Sequence, residues 1–131
     1  MKISTTHITK VIIVETIKHV DNRGEFFRAY CHNELASIVG NRQIVQINIS
    51  KTIAAGAVRG MHYQRPPHSE MKLIRCIKGK VWDVALDLRA DSPTYLQWHA
   101  EELSAVSAKM LVIPEGCAHA FLQMRIRLLP N

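Results

Sequence analysis

Aromatic residues are scarce, 6% of 131 positions, and acids are outnumbered, with 11 Asp and Glu against 17 Lys and Arg. Few rings are therefore available for bases to stack on. The basic residues are scattered along the chain rather than clustered on a recognition helix, so nucleic acid is not the expected partner. Cysteine occurs three times, at Cys31, Cys76 and Cys117. An odd count without zinc spacing points to thiols in a reducing cytoplasm rather than to a disulfide framework. No apolar run approaches the roughly 18 residues of a membrane helix, which excludes a helical bilayer span. Residues 1–10 are polar and lack the apolar block of a secretory signal. Repeats, low-complexity tracts and Pro/Ser linkers are missing too, so residues 1–131 read as a single domain.

What is present is an ordinary globular balance, 47% hydrophobic and 21% charged, enough for one core. The net charge is +6. That suits either a soluble basic surface or a phosphate-bearing small molecule as partner.

Short β-rich runs recur along the chain between Gly, Pro, Asn and Asp: residues 11–16, 25–30, 44–50, 58–64, 72–78, 80–89, 96–103, 110–113 and 118–124. A single helix is expected over 32–39, with Asn33 as a possible cap and Gly40 as its stop. The class is all-β: a sandwich, jelly roll or barrel. In the run 80–89, Trp82, Val84, Leu86 and Leu88 share one face, and Val81, Asp83, Ala85 and Asp87 share the other. The first face is expected to meet a dry core. The second is expected in solvent unless neighbouring strands bring polar groups to meet it.

Two segments supply such groups. One is Arg59-Gly60-Met61-His62-Tyr63-Gln64, with Lys72 ten residues beyond His62; the other is Pro114-Glu115-Gly116-Cys117-Ala118-His119. Either histidine alone would read as structural. Two histidines, an arginine and a lysine arriving from different strands would be costly to bury together without anionic partners. A regular strand would put Arg59 and His62 on opposite faces, and a bulge at Gly60 would re-aim one of them. A metal site is not favoured. Two histidines with Gln64 at the second position after His62, and Glu70 as the nearest acid, make a poor ligand set.

The pattern as a whole resembles the dTDP-4-dehydrorhamnose 3,5-epimerase family. The residues that carry it are Asp21-Asn22-Arg23-Gly24 with Phe26, Gln46-x-Asn48-x-Ser50, Val58 to Gln64, and Met71-Lys72-Leu73-Ile74-Arg75. The blocks from Gly79 to Arg89, Asp91-Ser92-Pro93-Thr94-Tyr95, and Ile113 to Phe121 complete it. The resemblance implies a cupin-type jelly roll, a homodimer whose N-terminal strands pair across the interface, and no metal or organic cofactor. It implies a dTDP-linked 4-keto-6-deoxy sugar as substrate, inverted at C3 and C5 through an enolate. His62 would be the base, with Lys72 stabilising the enolate oxygen and Asp83 orienting Lys72 or His62. Arg23, Gln46, Asn48, Arg59 and His119 would hold the nucleotide sugar.

Departures from the family accompany the match. Arg28 stands where the family has an acid, and Ala120 where a glycine is usual. The family continues past the His119 strand with a tyrosine acid, an aspartate that partners the base, and the last strands; residues 125–131 resemble none of these. The expectation is a domain lacking that C-terminal segment. A nucleotide-sugar-binding module with little catalysis, or a related 3-epimerase or ketoisomerase, is the alternative.

Overall fold

The computed structural model describes residues 1–124. In chain order its elements are β1 (Lys2–Thr5), β2 (Ile12–Glu15), β3 (His19–Asp21), β4 (Gly24–Phe26), α1 (Ala36–Val39) and β5 (Val58–His62). They continue with β6 (Lys72–Arg75), β7 (Lys80–Asp87), β8 (Trp98–Ser104), β9 (Lys109–Ile113) and β10 (Cys117–Gln123). Two four-stranded sheets form, ordered β1-β2-β9-β6 and β5-β10-β7-β8, and β3 and β4 make a separate hairpin. Every pairing is antiparallel. The all-β expectation holds.

Strand β9 explains how the layers meet. Met110, Leu111, Val112 and Ile113 are all buried, a continuous apolar run without alternation, because both faces of this central strand are covered. Leu111 and Ile113 face Ala85, Leu103 and Cys117 of the opposite sheet, forming the core between the sheets. Met110 and Val112 face outward, where Val14, Leu35 and Val39 close a second core under α1.

The helix is shorter than expected. Residues 32–35 form turns, and Leu35 rather than Asn33 precedes the helix, with no side-chain cap. Gly40 does end it, at φ 56°, and its amide donates to Ala36 O at 2.9 Å. Leu35 and Val39 dock the single turn, so packing rather than capping holds it.

Two further expectations are corrected. Residues 44–50 form no strand: the alternation is there, but no strand among the described residues pairs with them. Val45, Ile47 and Ile49 are consequently 80–87% exposed. The expected run 25–30 shrinks to β4, paired only with β3 in an exposed hairpin.

Strand β7 keeps its predicted period and reverses its predicted orientation. Asp83, Ala85 and Asp87 are fully buried between the sheets, whereas Trp82 is 41% exposed on the outer face. Asp87 is tolerable inside because its carboxylate is saturated with donors. Arg89 gives Nε at 2.8 Å, Nη2 at 3.0 Å and its amide at 3.0 Å. The hydroxyls of Ser92 and Thr94 each donate at 2.6 Å. Burial alone would raise the Asp87 pKa, but these donors hold it well below the usual carboxylate range.

A depressed folded-state pKa contributes stability above the unfolded value, near 4, and loses it as pH falls toward the folded one. Asp87→Asn should therefore destabilise the domain at pH 7 by about 3–5 kcal/mol. The gap to the parent protein should close as pH falls below about 4. Urea titrations at both pH values check this; a gap independent of pH would contradict it.

Candidate functional site in the sandwich interior

The site is built on a register irregularity in the edge strand β5. His62 pairs with His119 of β10, and Arg59 pairs with Phe121. Three steps along β5 thus match two along β10, so β5 carries one extra residue at Gly60-Met61, a β-bulge. Residues directly opposite across a sheet share a face. His119 and Phe121 are two apart, so Arg59 and His62 now face the same way, which a regular strand would forbid. Glycine is required at the bulge. Its φ is +124°, and a Cβ there would lie 2.6 Å from Ala120 Cβ and 2.7 Å from His119 O.

His119 in turn pairs with Ala85 on β7, whose side chain points into the core. That places His119 on the interior side, with His62 opposite it on the exposed edge strand. From the next pair along β7, the fully buried Asp83 reaches the imidazole: His119 Nε2 and Asp83 Oδ1 are 2.6 Å apart. Asp83 Oδ2 is buried and has no hydrogen-bond partner among the described residues. Burial pushes the Asp83 pKa up, against the pull of His119 and of the Lys72 ammonium. Lys72 comes from the other sheet, opposite the buried Ile113 of β9, which directs it inward as well. Asp83 was expected to orient Lys72 or His62; its hydrogen bond goes to His119.

The imidazole–carboxylate pair and the Lys72 ammonium therefore meet between the sheets, and His62 and Arg59 stand on the exposed edge strand β5 that pairs with β10. Phe121 stands next to His119 with ring centroids 6.2 Å apart. Burial raises the neighbouring Cys117 thiol to about 11, which makes it an inert wall rather than a nucleophile. Among the described residues no group of three or more His, Cys, Asp or Glu has the arrangement to hold a metal ion.

The other expected binding residues are less gathered. Gln46 and Asn48 line a cavity of about 500 Å³ with Lys72, between the 43–48 segment and β6. Further along, Lys51 O accepts from Arg59 Nη2 at 3.4 Å, so this segment bridges the open edge from β6 to β5. Arg23 is apart, at the tip of the β3–β4 hairpin, where it closes on Asp21 at 2.7 Å. Sequence reasoning missed the part played by Asp87 and Arg89; the spacing of Asp87-x-Arg89-x-x-Ser92-x-Thr94 was its visible signal. The expectation about residues 125–131 lies outside the described residues.

These features define a two-sheet antiparallel β-sandwich whose interior, at one edge, carries acid–base groups and cations suited to an anionic ligand. Residues 5–127 match the family model of dTDP-4-dehydrorhamnose 3,5-epimerase. The chain belongs to that family. It is 41% identical over 122 residues to the dTDP-4-dehydrorhamnose 3,5-epimerase of Shigella flexneri, covering 92% of this chain and 67% of the relative. Its fold matches the crystal structure of the Bacillus anthracis enzyme with TDP and PPi bound, with a TM-score of 0.89, 36% identity, and coverage of 94% of this chain and 70% of that one. It also matches the Legionella pneumophila dTDP-6-deoxy-D-glucose-3,5-epimerase in complex with dTDP-4-keto-L-rhamnose, with a TM-score of 0.87, 34% identity, and coverage of 94% and 65%. The chain thus spans about two thirds of the length of these relatives.

Gly60→Ala tests the bulge. The added methyl group must push β5 from β10, at a cost of about 1–3 kcal/mol for overpacking alone. The variant should melt lower and disturb the β5–β10 pairing, seen as shifted backbone amide signals across residues 58–62 and 119–122. A variant of parental stability with those signals unmoved would show that the close approach is not required.

Proposed function

We propose that this chain epimerises C3 and C5 of a dTDP-linked 4-keto-6-deoxy sugar, converting dTDP-4-dehydro-6-deoxyglucose to dTDP-4-dehydrorhamnose. The observation that carries the reading is the bulge, which turns His62 and Arg59 to the face of the Asp83–His119 pair and Lys72. His62 takes the proton from the carbon next to the ketone, and the electron pair moves into the carbonyl to leave an enolate oxygen. The Lys72 ammonium stabilises that oxygen, in a partly dry interior where charge interactions are stronger than in water. A proton delivered to the opposite face of the carbon completes the inversion. The ketone itself holds the electron pair, so the chemistry calls for no metal or organic cofactor. Arg59 and His119 hold the diphosphate and sugar, Gln46 and Asn48 the nucleotide, and Arg23 supplies a further cation.

The active form we propose is a cytoplasmic homodimer. Support comes from the exposed β3–β4 hairpin, with Val20 and Phe26 each 72% exposed, and from the unpartnered stripe Val45, Ile47 and Ile49. Unpaired strand edges of this kind invite pairing with a second copy. That pairing would bring Arg23, remote within one chain, toward a site. Light scattering at micromolar concentration should give twice the chain mass; a clean monomer would count against the dimer.

The reaction is tested in deuterated water with the 4-keto sugar. Label should enter at C3 and C5, and His62→Ala should slow exchange by about a hundredfold or more. Arg59→Ala should instead weaken nucleotide-sugar binding by about 1.5–3 kcal/mol. Label at C3 alone would indicate a 3-epimerase. Binding without exchange would indicate a carrier module.

A further inference from the structure

The register between β7 and β10 decides whether Asp83 meets His119, and the means of fixing it lie at the far end of the two strands. Asp87 pairs with Cys117, Ala85 with His119 and Asp83 with Phe121. A slip of one residue would turn every side chain of β7 to the other face and carry Asp83 out of reach of the imidazole. Backbone hydrogen bonds repeat at each register and cannot by themselves choose one. Side chains at Asp87 and Arg89 can.

Arg89, held on the Asp87 carboxylate, packs directly beneath Gly116, the residue before β10 begins. A Cβ at Gly116 would lie 2.5 Å from Arg89 Cγ. The Leu88 amide donates to Gly116 O at 3.2 Å, and Arg89 Nη2 reaches Thr9 O at 2.6 Å. Asp87 also gathers the loop that follows β7: Ser92 and Thr94 donate to its carboxylate, and the Leu96 amide donates to its carbonyl at 2.8 Å. The turn that launches β10 therefore rests on a side chain whose position Asp87 dictates.

We infer that Asp87 and Arg89 are positioning residues for His119, pinning the β7–β10 register that holds its imidazole on Asp83. Neither touches the reacting region; both act through the start of β10. The inference rests on the proposed epimerase reading only for its catalytic consequence, since the pairing itself needs no substrate.

The test is nuclear magnetic resonance of the full chain with ¹⁵N-labelled histidine. The imidazole proton shared between His119 and Asp83 should give a low-field signal protected from solvent exchange, identified by its loss in Asp83→Ala. In Arg89→Met, with folding checked by circular dichroism, that proton should exchange at least about tenfold faster, because the pinned register loosens. Should Arg89→Met fail to fold, Ser92→Ala removes one donor to Asp87 and should move exchange in the same direction. A folded variant whose proton exchanges at the parental rate would overturn the inference and leave Asp87 and Arg89 as loop supports. The experiment contains no nucleotide sugar, so its failure would not be confused with failure of the epimerase reading.

Discussion

A carboxylate and an imidazole 2.6 Å apart between two sheets impose a register that β7 and β10 must keep. Asp83 has no exposure and His119 only 9%, so water cannot substitute for either partner. Once β10 is fixed against β7, the rest of the site follows by pairing. His119 sets the place of His62 across the next ladder, and the extra residue at Gly60 brings Arg59 to the same side. Lys72 reaches the same carboxylate electrostatically from the opposite sheet.

The arrangement works against stability in one respect. Asp83 Oδ2 is buried and unpaired among the described residues, a desolvation cost of about 1–3 kcal/mol. Asp87, four residues along the same face, shows the other solution, with every available acceptor position occupied by a donor of its own loop. One buried aspartate is finished and the other left open. An unsatisfied acceptor held beside a histidine and under the influence of a lysine suits a place where a ligand or a proton is to be handled.

Much of this was legible in the residues, though unevenly. The β-period of 80–89 was visible, but a period does not say which face is inside. The bulkier apolar side, with Trp82, looked like the core; the acidic side is buriable because His119, from a distant strand, meets Asp83, and because Arg89, Ser92 and Thr94 of the adjoining loop fold back onto Asp87. The Gly60 bulge could be named as a condition for bringing Arg59 and His62 together; establishing it needed the pairing with β10. Residues 44–50 alternate as a strand should and are not one here, because alternation states what a segment wants to bury and not whether its own chain provides the neighbour. The same holds for Arg23, whose type suits a phosphate but whose hairpin stands away from the interior of its own chain.

The central claim is that the interior edge beneath β5 is where the nucleotide sugar binds. Titration of the ¹⁵N-labelled chain with dTDP tests it most directly. The account predicts that the ring signals of His62 and His119 shift together and saturably. The indole signals of Trp82 and Trp98, on the outer face of the same sheet, should stay unmoved. Shifts confined to the tryptophans, with both histidines silent, would place the ligand on the wrong side of the sheet and contradict the account.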